Sequence, residues 1–324
     1  MLIRISVLLG VAVLLLTTAV SCRSREDSDT GIRAGRLRVV ASLYPLYDFA
    51  RAVGGGNADI SLLLPPGVEP HSFEPRPADM MLLNRSDIFI YTNRYMEPWV
   101  EDLLKGTDRT RFLTVDASRG VDFFEGASGK SADAGRLYRT PQAPGEALDP
   151  HIWLDFGNAK MMVDTICDAF IMRDPAHRAA YRANAEQYRA KLDALDRKYR
   201  DALSGCRKRT MVDGGHATFG YLARRYGLTY VAAYGLSPDA EPTARDLARI
   251  SHMLGEEGLT HLFYEELLTP RIAETIARET GASLLRLHGA HNISREEMIE
   301  GTTFLDLMER NLDQLLTGLE CRQP

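Results

Sequence analysis

From Leu37 onward, short apolar runs alternate with longer segments in which apolar residues recur at helical spacing. Leu37–Ser42, Ala58–Leu64, Asp87–Tyr91 and Arg111–Val115 read as strands, because each is a brief run dense in Val, Ile, Leu or Phe. Tyr44–Val53, Pro77–Asn84, Glu97–Leu104 and Asn158–Met172 read as helices between or after them. The first is stopped by Gly54-Gly55-Gly56, and the second begins on a proline, which the first helical turn tolerates. The same alternation returns near the end. Strands are predicted at Arg209–Val212, Leu228–Tyr234, Thr260–Tyr264 and Ser283–Leu287. Helices are predicted at His216–Tyr226, Pro242–Glu256, Pro270–Glu279 and Thr302–Leu316. Strand–helix alternation is the signature of a parallel sheet with crossover helices.

Between the two halves lies one long helix. Asp174-Pro175 supplies an N-cap and a first-turn proline, and the pattern continues to about Leu203, ahead of Gly205. That is ~29 residues, or about 43 Å at 1.5 Å per residue. Tyr181, Ala185, Tyr188, Leu192, Leu195, Tyr199 and Ala202 form one narrow apolar stripe, while the other faces are charged. A coiled-coil arm would give the same stripe. A strut spanning two α/β lobes suits the flanking segments better. The chain thus reads as an α/β protein of two parallel-sheet lobes, residues 37–173 and 205–324, joined by a linking helix over 174–204. Asp116–Leu148, rich in Gly, Ala, Ser, Asp and Pro, reads as a long surface loop without histidine.

The first 36 residues lie outside this pattern. Residues 1–21 carry Arg4, then the apolar run Val7–Leu16, too short for a comfortable membrane span of ~20 residues. The run ends in small residues before Cys22, as a bacterial lipoprotein signal does, with lipid on the Cys22 sulfur; an ordinary cleaved signal peptide is the alternative. Both place the protein outside the cytoplasm, at a cell surface or in a periplasm. Residues 22–36 suit a flexible tether. A length of 324 residues allows about two domains, and 45% hydrophobic content is ordinary for a globular protein. A net charge of −5 gives no reason to expect nucleic acid as a partner. With Cys22 lipidated, three cysteines remain. Cys167 falls in an amphipathic helix as a small buried residue, and Cys206 and Cys321, each after a helix end, are candidates for a disulfide.

The chemistry concentrates in histidines at strand ends. Leu63–Pro77 carries five prolines and holds His71 in a stiff loop. His151 follows Pro150, and His216 follows Asp213-Gly214-Gly215 at the predicted start of a helix, where the helix dipole would disfavour its protonated form. In open α/β sheets, ligands bind beyond the carboxyl ends of the strands. Two lobes facing each other would bring these three loops together, and neutral imidazole is the form that binds metal.

GVEPHSFEP, DPHIWLD and GGHATFGYLARRYGL resemble the three histidine motifs of the zinc- and manganese-binding solute-binding proteins of bacterial ABC transporters. GTTFLDLMERNLDQL resembles that family's C-terminal helix. The resemblance runs from about Leu37 to Cys321. It implies two lobes joined by one long helix, a metal between them, and His71, His151 and His216 as ligands. It also implies delivery of the ion to an ABC permease with its ATPase.

The fourth ligand departs from the family pattern. The last strand-end loop, Leu287-His288-Gly289-Ala290-His291-Asn292, offers two histidines where an acid is usual. His291, farther into the loop, is favoured over His288, with Glu265 a weaker candidate. His177, His252 and His261 read as structural or solvated. A site of three or four imidazoles suits Zn2+ and leans away from Mn2+, though Cu2+ and Ni2+ bind such donors tightly in vitro. It should lose metal as the pH falls through the histidine range near ~6.5. Two other functions compete: a zinc hydrolase using Glu69 or Glu74 to activate water, against which stands the lack of an HExxH pair, and a surface adhesin on the same fold.

Overall fold

A computed structural model describes residues 35–123, 138–139, 148–236, 242–266 and 270–321. The expected signal segment, most of the expected tether 22–36 and most of the 116–148 loop lie outside these residues.

The first sheet contains β1 (Leu37–Ala41), β2 (Ala58–Leu62), β3 (Ile88–Tyr91) and β4 (Leu113–Asp116), in the order β2-β1-β3-β4 and parallel throughout. α1 (Tyr44–Gly54), α2 (Pro77–Asn84) and α3 (Val100–Lys105) lie between these strands in the chain. α4 (Phe156–Arg173) follows, its N-terminus capped by the Asp155 side chain, which accepts the N–H groups of Gly157 and Asn158.

The second sheet contains β5 (Tyr138–Arg139), β6 (Thr210–Asp213), β7 (Thr229–Ala232), β8 (His261–Glu265) and β9 (Ser283–Leu287), in the order β5-β7-β6-β8-β9, also parallel. Apart from the edge strand β5, its order repeats that of the first sheet: the second strand of each set lies outside the first, and the third and fourth follow on the other side. The repeat is one of topology, with no sequence counterpart. β5 corrects the expectation of an unstructured loop over 116–148. Two residues pairing at an edge leave no periodicity to read.

α5 (Arg178–Ser204) is the long helix, 27 residues, preceded by a 3-10 turn at Pro175–His177. Its buried stripe is the predicted one, except that Leu203 rather than Ala202 closes it and Asp196 joins it. At one end Tyr188 donates its hydroxyl to Asp48 of α1 at 2.8 Å; at the other, Tyr199 donates to the carbonyl of Met308. The helix therefore touches the first half and α10 (Phe304–Gly318), as a strut does. Asp48 also accepts the Phe304 N–H at 3.2 Å, so one buried carboxyl ties α1, α5 and α10 together. One apolar core runs from the first sheet's inner face through α4 and α5 to α10, and each sheet has a smaller cluster on its other face.

The second half also contains α6 (Gly220–Arg225), α7 (Ala244–Glu256), α8 (Arg271–Thr280) and α9 (Arg295–Glu300). α9 is absent from the sequence expectations. It has six residues, none buried, so the hydrophobic pattern is silent there; its only signal is the capping box Ser294/Glu297. Cys206 and Cys321 form a disulfide joining the end of α5 to the chain after α10, and Cys167 is free and buried.

Candidate metal centre

Four loops converge, three of them at strand ends. His71 follows β2, His151 precedes α4, His216 follows β6 and His291 follows β9. A nitrogen from each of these four imidazoles lies within 4.8 Å of all the others. His151 Nε2 stands 3.4 Å from His71 Nε2 and 3.3 Å from His216 Nε2. Zinc–nitrogen bonds of ~2.0–2.1 Å in a tetrahedron place donor atoms about 3.3 Å apart. His151, His216 and His291 are buried and His71 is half-buried. His291 Nε2 is buried with no hydrogen-bond partner. An orphaned imidazole nitrogen beside three others is costly unless something satisfies it, and a cation would do so.

Each loop is held in place by its neighbours. Around His71, Glu69 accepts the Ser72 N–H and hydroxyl at 3.0 Å, and Trp99 donates Nε1–H to the Pro70 carbonyl at 2.8 Å. Glu69 Oε2 is thus engaged in shaping the loop. Asp149 Oδ1 lies 2.9 Å from both the backbone nitrogen and Nδ1 of His151. Glu265 treats His216 in the same way, with Oε1 2.8 Å from its backbone nitrogen and 2.8 Å from Nδ1. Thr218 donates its hydroxyl to the other Glu265 oxygen at 2.9 Å. A carboxylate on Nδ1–H turns the Nε2 lone pair toward the other imidazoles.

Two glycines permit this approach. A Cβ at Gly215 would lie 2.2 Å from Glu265 Oε1, and one at Gly289 would lie 2.3 Å from His291 Cε1. Beside Gly289, Ala290 takes a left-handed φ of 56°, rare for a residue with a side chain.

The electrostatics favour neutral rings. Burial, then the neighbouring His216, lowers His71 to about 4, while Glu69 pulls weakly the other way. Burial and the other imidazoles hold His151 and His291 well below the ordinary histidine value. Burial, followed by Glu266, pushes the Glu265 carboxyl up.

Several sequence expectations change here. α6 begins at Gly220, four residues after His216, so a helix dipole does not act on His216; Glu265 orients it instead. Glu265, weighed as a fourth ligand, stands behind His216. His288 stands outside the cluster: its Nδ1 accepts the Ala290 N–H at 2.9 Å and its Nε2 lies 3.4 Å from Glu297. His177 meets Asp174 at 2.6 Å, His252 meets Glu256 at 3.1 Å on the surface, and His261 meets the Thr260 hydroxyl at 2.9 Å. Sequence reasoning missed Asp149 as a partner of His151. An acid two residues before a histidine was the available signal.

Two parallel sheets of repeated strand order, a long connecting helix and an enclosed set of imidazoles define a metal-carrying solute-binding protein, a carrier and not an enzyme. Residues 39–318 match the family described as zinc-uptake complex component A, periplasmic (ZnuA), and the chain belongs to that family. It is 33% identical over 309 residues to the high-affinity zinc uptake system protein ZnuA of Bacillus subtilis (strain 168), covering 95% of this chain and 96% of that protein. It is 32% identical over 296 residues to the zinc-binding lipoprotein AdcA of Streptococcus pneumoniae, covering 91% of this chain but 57% of that longer relative. The Zn(II)-bound ZnuA-like domain of Streptococcus pneumoniae AdcA superimposes with a TM-score of 0.73 at 31% identity, over 88% of this chain and 100% of that one.

Proposed function

We propose that His71, His151, His216 and His291 bind one Zn2+ ion captured outside the cytoplasm and release it to an ABC permease driven by its ATPase. The observation that carries this reading is the convergence of four imidazole nitrogens, one of them orphaned, from loops on both sides of the long helix. The ion is cargo. Four nitrogen donors in a closed set suit Zn2+ and disfavour Mn2+, which prefers oxygen. In the same reading, residues 37–173 and 205–324 act as two lobes on the strut 174–204, except that Tyr138–Arg139 pairs with the second sheet, and lipid on Cys22 tethers the carrier to its membrane.

Elemental analysis and zinc titration of the purified protein, beside a His71→Ala variant, test the assignment. One equivalent of zinc, lost or much weakened in the variant, is expected; unchanged binding would contradict it. Mass spectrometry of the mature N-terminus tests the lipid: a free Cys22 thiol would exclude it.

A further inference from the structure

Asn292 adjoins His291 but points away from the imidazole cluster. Its side-chain amide donates to two backbone carbonyls of the His71 loop, Pro65 at 2.7 Å and Val68 at 2.8 Å. Its Oδ1 accepts the Ile293 N–H at 2.8 Å, and the residue is fully buried. The Gly67 N–H completes the link by donating to the Ile293 carbonyl at 2.9 Å. The loop after β9 is therefore fastened directly to the loop after β2, more than two hundred residues earlier. On its own side, the His71 loop is held near the histidine by the Trp99–Pro70 bond.

Resting on the metal-site reading above, we infer that Asn292 is a positioning residue for His71: it holds the half-buried ligand at the site from the opposite half of the chain. The donor set explains why this position needs an amide. Pro65 and Val68 both present carbonyl oxygens, so the group between them must carry two N–H donors, while the Ile293 N–H needs an acceptor. Asn supplies all three bonds from one short side chain. Without the latch, His71 keeps its chemistry but loses its fixed place, and a ligand that must be ordered on binding binds more weakly. Because the latch spans the two halves, it also links the hold on the ion to the closeness of those halves.

The test is a double-mutant cycle on the full chain, with Zn2+ alone as probe and affinity measured by competition with a chromophoric chelator. Asn292→Ala is expected to weaken zinc binding about 10-fold or more, the usual effect of losing an outer support of a ligand. In a His71→Ala background, the same substitution is expected to cost nothing further. An equal loss in both backgrounds, or no loss in either, would overturn the positioning role. If His71→Ala alone leaves zinc binding intact, the metal-site reading itself fails, and the two failures are thereby separated. Should Asn292→Ala fold poorly, Asn292→Ser serves: its neutral hydroxyl offers one donor and an acceptor but cannot bridge both carbonyls. Hydrogen exchange at the Gly67 amide gives a second readout. Exchange is expected to accelerate in the Asn292 variants while amides of β1 stay protected; unchanged Gly67 protection would refute the latch.

Discussion

Asp149 meets His151 with one carboxyl oxygen at two points, the backbone nitrogen and Nδ1, both at 2.9 Å. Glu265 meets His216 identically at 2.8 Å. Two histidines from opposite halves of the chain are thus set by the same device, which fixes the tautomer and the ring plane together. Asp149→Ala is expected to lower zinc affinity by ~10–100-fold, the range for removing such a partner. Asp149→Asn, which keeps an acceptor but not the charge, should fall between. Chelator competition measures both, and wild-type affinity in Asp149→Ala would remove the carboxyl from any role in binding.

Acid should act later on this site than on exposed histidines. His71 is lowered to about 4, and His151 and His291 lie well below their usual value, with burial the first cause in each case. In the folded metal-free protein these rings stay neutral, while the unfolded chain takes up protons near ~6.5. Their contribution to stability is full above that value and is lost as the pH falls toward about 4 for His71. The thermal midpoint of metal-free protein should therefore drop across that window, with a shallower slope in His71→Ala. Zinc should likewise persist below the ~6.5 expected of unperturbed histidines. Release already half complete at pH 6.5, followed by dialysis and elemental analysis, would contradict the lowered values.

The disulfide Cys206–Cys321 closes a loop of 115 residues and joins the end of α5 to the chain after α10. Chain-entropy arguments assign such a closure up to ~4–5 kcal/mol. Cys206→Ser should lower the thermal midpoint clearly and leave zinc affinity unchanged. Thermal unfolding with and without reductant measures the first, and zinc titration the second. A lost zinc site would mean that the bond organises the centre as well as the fold.

The alternation of strands and helices was legible because buried parallel strands are short and continuously apolar, as in Ile88–Tyr91 and Thr229–Ala232. The long helix was legible from its stripe. What escaped was structure without period: β5 is two residues at a sheet edge, and α9 is six residues with none fully buried. His71, His151 and His216 stood out because prolines and glycines mark their loops. His291 was favoured over His288 only for lying farther into the loop, and the sequence holds no physical reason for that choice. It depends on the Ala290 N–H and on Glu297, which engage the two nitrogens of His288. Asn292 was invisible, since its partners Pro65 and Val68 are distant in the chain.

Gly289 offers a way to test His291 without altering its imidazole. A methyl group there would meet His291 Cε1 at 2.3 Å and Nδ1 at 2.5 Å, and the neighbouring Thr218 methyl at 3.1 Å. The ring is the nearest thing it strikes, so relief must come from moving His291 off its place. Gly289→Ala is expected to weaken zinc binding in the direction of His291→Ala, and by less. His291→Ala itself removes a donor and should exceed the ~10–100-fold loss typical of outer supports. Combining the two should cost little beyond His291→Ala, because the clash no longer has a ring to displace. His288→Ala should be milder than His291→Ala, since His288 Nδ1 already accepts the Ala290 N–H and its Nε2 faces Glu297. Zinc titrations of the four variants decide the matter. A larger loss from His288 than from His291 would move the fourth donor to His288, and additive losses from Gly289 and His291 would show that the glycine serves the loop rather than the ligand.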